Sequence, residues 1–146
     1  MSDDIKEKIV DCLKNHNWLN LGTVDKDGKP MVHTMGYASD GAVVYFGTGK
    51  DTRKSVNMQN NANVAYTIDD DEVEVMEITG VQIEGKASIV TDEVEAGKAF
   101  QLMLEKFPFM ADMPAEYETF LFKVEPTAAY YLDYTKGFGY RDMVTY

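Results

Sequence analysis

Apolar residues Ile5, Ile9, Cys12 and Leu13 recur at helical spacing, and Ser2 or Asp3 stands ready to cap them, so residues 3–15 are predicted to form an amphipathic helix. A series of extended segments separated by short turns follows. The first spans 18–24 and runs into Asp25-Lys26-Asp27-Gly28, a hairpin turn by composition. A second covers 30–38, and Ser39-Asp40-Gly41 turns the chain into a third at 42–48. Residues 52–61 suit a short helix carrying Val56 and Met58, and 63–68 resume extended structure. A strand over 79–90 is expected to kink near Gly85. Thr91 or Asp92 then caps a helix to about Lys106, with Val94, Ala99, Phe100, Leu102, Met103 and Phe107 as its apolar positions.

The segment from Phe107 to Pro114 is expected to be a loop carrying apolar groups, a lid or a dimer contact. Two strands, 118–125 and 127–134, close the pattern around Pro126. Six or seven antiparallel strands with a few helices predict a mainly β domain over residues 1–146. A closed or partly closed barrel follows, because closure removes exposed sheet edges.

Composition narrows the picture. With 146 residues and 45% apolar content the chain has the size and hydrophobicity of one globular domain. No stretch approaches the ~20 apolar residues that span a bilayer, and the acidic start Met-Ser-Asp-Asp lacks a secretory pattern. The single cysteine forms no internal disulfide, which makes a reducing cytoplasm the expected location and Cys12 a small buried hydrophobe. A net charge of −11, from 25 acidic against 14 basic residues, argues against nucleic acid or an anionic membrane as partner. The cluster Asp69-Asp70-Asp71-Glu72, with Glu74 and Glu77, lacks the spacing of a calcium loop and is expected to be solvated. No metal site is expected.

Against that acidity, residues 43–54 stand out. The apolar run Val43-Val44-Tyr45-Phe46 ends in Gly47 and Gly49, and Lys50, Thr52, Arg53 and Lys54 follow where a helix begins. Unpaired amides and the dipole of a helix start favour anions, and these cations reinforce them. Neither common phosphate motif is present. Gly49-Lys50 is followed by Asp51, with Val44 where a phosphate loop needs glycine. Gly47 and Gly49 meet Thr52 where a dinucleotide fingerprint needs its third glycine.

In order and spacing, the second and third strands, the Thr52-Arg53-Lys54 helix start and the Glu84-Gly85-Lys86-Ala87 strand resemble the FMN-binding split-barrel proteins related to pyridoxamine 5′-phosphate oxidase. The resemblance runs from about Trp18 to Tyr134. It implies a six-stranded antiparallel split β-barrel, a homodimer, and FMN in a groove at the subunit interface. Cofactor contacts carried over by position are His33, Thr34 and Met35 on the second strand, and Gly47 and Thr48 on the third. Arg53 and Lys54 hold the phosphate in this scheme, and Thr48 or Thr52 adds a hydroxyl donor. Tyr131 corresponds to an aromatic residue near the cofactor.

Departures from the family pattern are as informative. A family glutamine is Gly80 here, with Gln82 nearby; a lysine is Met35 and an arginine Pro30. The C-terminal Arg-x-His arrangement that grips the oxidase's substrate is replaced by Lys136-Gly137-Phe138-Gly139-Tyr140-Arg141-Asp142. Authentic pyridoxamine phosphate oxidation is therefore not expected.

A flavin carries its own redox chemistry, so no nucleophile–base arrangement is needed, and no catalytic residue is assigned. His16 is expected to cap carbonyls or meet solvent at its helix end. His33 is either a hydrogen-bonded structural histidine or a group beside the flavin. The aromatic residues of the last quarter pack the barrel or wall a substrate pocket. The leading expectation is an FMN-dependent oxidoreductase acting on a small organic substrate. A non-catalytic flavin carrier and a deazaflavin-binding split barrel are the alternatives; haem is disfavoured, as neither histidine sits in a ligand motif.

Overall fold

The computed structural model describes residues 2–112 and 118–146. Helix α1 (Ser2–Asn15) buries Ile5, Ile9 and Leu13 on one stripe, as the spacing requires. Eight strands follow: β1 (Trp18–Val24), β2 (Pro30–Gly36), β3 (Ala38–Asp40), β4 (Val43–Gly49), β5 (Asn63–Asp69), β6 (Thr79–Ile89), β7 (Thr119–Asp133) and β8 (Arg141–Thr145). Helix α2 (Arg53–Asn60) lies between β4 and β5, and α3 (Glu93–Lys106) between β6 and β7.

All strand pairs are antiparallel, and the sheet runs β2-β1-β5-β6-β7-β4-β3, with β8 paired to β7. The outermost strands, β2 and β3, are separated in the chain by one residue, Tyr37. The sheet therefore curls until its two borders meet there, which makes it a split barrel. Strict alternation fills the interior: in β5 Val64, Tyr66 and Ile68 point inward and their neighbours outward. Leu19, Leu21, Phe46, Val81, Ile83, Phe122 and Val124 complete the core with α1.

The expected count of six strands is corrected to seven in continuous order, with an eighth beside β7. The segment 30–38 divides because Tyr37 is where the chain changes sheet border. The two strands expected around Pro126 are one strand, β7. Pro126 faces Gly85 at a register shift, where a missing N–H leaves no ladder bond broken. Gly85 is needed there, since a Cβ would lie 2.7 Å from both the Glu125 carbonyl oxygen and Val124 Cγ1. Strand β8 has one buried side chain, Val144, and so no legible alternation.

Helix α3 begins at the Asp92 cap, whose side chain accepts from the Glu95 amide. It buries Ala99 and Met103, whereas Val94 and Phe100 are exposed. Tyr45 Oη donates to Glu95 at 2.8 Å, and Lys123 pairs with the same carboxylate, clamping α3 to the sheet. After α3, residues 108–112 form a 3-10 turn with Phe109 exposed; Met113 and Pro114, the end of the expected loop, lie outside the described residues. Residues 69–77 are exposed as expected, and His16 links them to α1. Its Nδ1–H donates to the Cys12 carbonyl at 2.8 Å, and Nε2 lies 3.0 Å from Asp70 Oδ1. Cys12 is partly buried, and burial pushes its thiol up to about 11. No described helix is long and apolar enough to cross a membrane.

Candidate functional site

Strand β3 covers only Val43–Tyr45 of β4, so Phe46–Gly49 have no strand on the side away from β7. Strand β2 likewise has a partner, β1, on one side only. These two borders flank the split that opens from Tyr37. At the end of β4 the chain turns into α2, and a recess of about 760 Å³ forms there. Gly47, Thr48, Lys50 and Thr52 line it, with Glu118 and Thr119 from the start of β7.

Thr52 is the N-cap of α2, and its hydroxyl is fully occupied. It accepts from the Ser55 amide at 3.3 Å, donates to the Gly49 carbonyl at 2.9 Å, and lies 2.9 Å from Thr48 Oγ1. The expected hydroxyl donors are thus engaged within the turn. What remains for an anion is the backbone: the amides of Arg53 and Lys54 precede the first intrahelical bond, which Val56 makes to the Thr52 carbonyl.

The second half of α2 fixes its position by polar contacts that hydrophobic spacing did not reveal. Ser55 and Asn57 are buried, whereas Val56 is exposed. Asn57 Nδ2 donates to Thr23 Oγ1 of β1 at 3.0 Å, and both side chains are buried. Because α2 is thereby pinned over β1, its first turn faces the β1–β2 hairpin. Arg53 lies 4.0 Å from Asp25 in that hairpin. The Lys29 amide, the Asp27 amide and Arg53 hold the Asp25 carboxyl below its usual range. Lys54 is half-buried and makes no ion pair among the described residues.

His33 sits opposite Leu21 on the barrel-facing side of the β1–β2 pair. Its Nδ1 is buried and has no hydrogen-bond partner among the described residues. Burial lowers its pKa first, and the charges of Lys54 and then Arg53 lower it further. The imidazole is therefore held toward its neutral form, half-buried and within reach of two cationic charges. Met35 shares this face and is buried, while Thr34 points outward and donates to Asn20 Oδ1 at 3.4 Å.

The candidate residues thus fall into three places. His33 lies within electrostatic reach of Arg53 and Lys54, and Gly47, Thr48, Lys50 and Thr52 line the recess at the end of β4. Lys50 pairs with Glu118 at 3.5 Å and lies over the Phe120 ring. Tyr131 stands apart, against α1, where Lys8 lies over its ring and Cys12 and His16 line the same small pocket. Gly80 has no room for a side chain, because a Cβ would lie 2.6 Å from the Ile68 carbonyl oxygen. Gln82 instead accepts from Arg141 at 3.3 Å. The unpartnered His33 nitrogen, like the polar docking of α2, has no signal in the chain itself.

A split barrel with a recess where β4 turns into α2, and with Arg53 and Lys54 on the first turn of that helix, is the class that this geometry defines. Residues 5–133 match the family model of pyridoxamine 5′-phosphate oxidase, and the chain belongs to that family. It is similar to general stress protein 26 of Bacillus subtilis, 35% identical over 104 residues, 71% of this chain and 73% of that one. Among solved structures it is similar to general stress protein 26 from Bacillus anthracis, with TM-score 0.71, 24% identity, and 97% and 98% of the two chains covered. The fold is shared with the haem storage protein HutZ from Vibrio cholerae at TM-score 0.71 and 18% identity, covering 95% and 92% of the chains.

Proposed function

We propose that this chain binds FMN at the split and acts as an FMN-dependent oxidoreductase on a small organic substrate. The observation that carries the reading is the set Arg53, Lys54 and His33: one cation paired with Asp25, a second with no ion pair among the described residues, two amides at the helix start and a buried ring nitrogen without a partner among those residues. These groups fit a terminal phosphate. Arg53 and Lys54 would hold it, and the backbone of β2 and the end of β4 would meet the rest of the cofactor. Bound FMN supplies hydride and electron transfer; the protein's part is to bind it, orient it and exclude water. The proposed assembly is a homodimer, with the exposed Trp18 and Val32 beside the β2 border available for the contact.

Fluorescence quenching of added FMN tests the reading. Arg53→Ala with Lys54→Ala should weaken binding by roughly 2–4 kcal/mol, two charge-assisted hydrogen bonds. Unchanged affinity in the double variant would mean the phosphate is held elsewhere. Turnover of an electron donor by the loaded protein separates an enzyme from a flavin carrier. Protein that ignores FMN but binds a deazaflavin returns that alternative.

A further inference from the structure

The Nδ1 of half-buried His33 is buried without a hydrogen-bond partner among the described residues, and the cations Lys54 and Arg53 act on it from α2. The β1–β2 hairpin holds two carboxylates, Asp25 and Asp27, beside Lys26 and Lys29, and Asp25 is drawn to Arg53. Strand β1 offers only neutral side chains on the face that His33 shares, Leu19, Leu21 and Thr23. The ligand-free pocket therefore repels a third positive charge. A phosphomonoester brings two negative charges and several acceptor oxygens into the same space. That reverses the field on the imidazole and gives a ring N–H a partner, so both reasons for staying neutral vanish together.

We infer that His33 takes up a proton from solvent when a terminal phosphate binds at Arg53 and Lys54, becoming the third cation of the occupied site. The inference rests on the flavin reading above and adds a ligand preference and a pH dependence to it. A phosphodiester brings one negative charge where a phosphomonoester brings two and shifts the imidazole less, which ties the proton uptake to a terminal phosphomonoester. By linkage, affinity for the dianion rises as the pH falls through the range in which the free pocket keeps His33 neutral.

Calorimetry of FMN binding at pH 7, in two buffers of different ionisation enthalpy, measures the proton count. Wild-type protein should take up roughly half a proton or more, while the phosphate, with a second pKa near 6, releases only about a tenth. His33→Asn should bind FMN with that uptake abolished. A second readout does not alter His33 at all. The chain has two histidines, so in His16→Gln the remaining imidazole resonance belongs to His33. Saturating FMN should raise its titration midpoint by about one unit or more, a tenfold change in proton affinity. FMN binding without proton uptake, uptake unchanged in His33→Asn, or an unmoved midpoint overturns this inference and leaves the flavin reading standing. Failure of FMN to bind at all overturns both.

Discussion

The Tyr37 hydroxyl donates to the Leu13 carbonyl oxygen at 2.6 Å, deep in the protein. Leu13 lies in the last turn of α1, where carbonyls lack intrahelical partners, and Tyr37 is the residue on which the chain crosses from β2 to β3. One bond therefore ties the helix end to the seam of the barrel. Burial raises the Tyr37 phenol far above its ordinary pKa, so the donor proton is kept. Tyr37→Phe keeps the ring and leaves the carbonyl unsatisfied, and should cost about 1–3 kcal/mol in urea unfolding. No loss of stability would show that water or another donor replaces the phenol.

Lys106 lies over the Tyr37 ring, its Nζ 3.8 Å from the centroid and without a hydrogen-bond partner among the described residues. Burial pushes its ammonium down to about 8. The unfolded chain holds that proton to about 10.4, so between these values the unfolded state binds more protons and stability rises with pH. Below pH 8 the cost of the buried charge is present in full. Because the side chain is partly exposed, the gain between pH 8 and 9.5 should be about 0.5–1 kcal/mol, below the roughly 1.6 kcal/mol of an unscreened group. Lys106→Met should be more stable at pH 7 and lose the rise. A wild-type curve that is flat or falling in this window would count against the assignment.

The Asn57–Thr23 bond is the polar anchor of α2. Asn57→Leu and Thr23→Val should each cost about 1–3 kcal/mol by leaving the partner unsatisfied, and the double variant should cost less than their sum. The single changes should also weaken FMN binding, because the first turn of α2 loses its placement. Additive stability losses in the cycle would mean the two side chains do not depend on one another.

Gly80→Ala sets a Cβ against the Ile68 carbonyl, which belongs to the paired backbone of β5 and cannot rotate away. The expected cost is about 1–3 kcal/mol of overpacking. Equal or higher thermal stability would show that β5 and β6 separate there without penalty.

The parts of the fold that obey a simple period were legible in the sequence. Val64, Tyr66 and Ile68 alternate, Ile5, Ile9 and Leu13 follow a helix, and Asp25 to Gly28 carry turn chemistry. Legibility failed where tertiary pairing overrides local signals. Pro126 reads as a strand end but is absorbed by a bulge, and Tyr37 reads as mid-strand but changes sheet border. Polar Ser55 and Asn57 bury themselves because hydrogen bonds, not apolar area, dock α2. At the site, the cations Arg53 and Lys54 stand out against an acidic chain. The engagement of Thr48 with Thr52 depends on the shape of the turn between β4 and α2, and the burial of His33 Nδ1 on how β2 packs, neither of which residue spacing encodes.

The one-residue crossing between β2 and β3 also governs how the molecule can breathe. Two peptide steps bound the distance from the Gly36 Cα to the Ala38 Cα to about 7 Å, whatever else moves. The gap between the borders can therefore widen only as a wedge, pivoting at Tyr37 and gaping most where α2 begins. A guest lodged there works as a shim. Its grip would be felt as slower amide exchange near Pro30 and Gly49, fading toward the pivot.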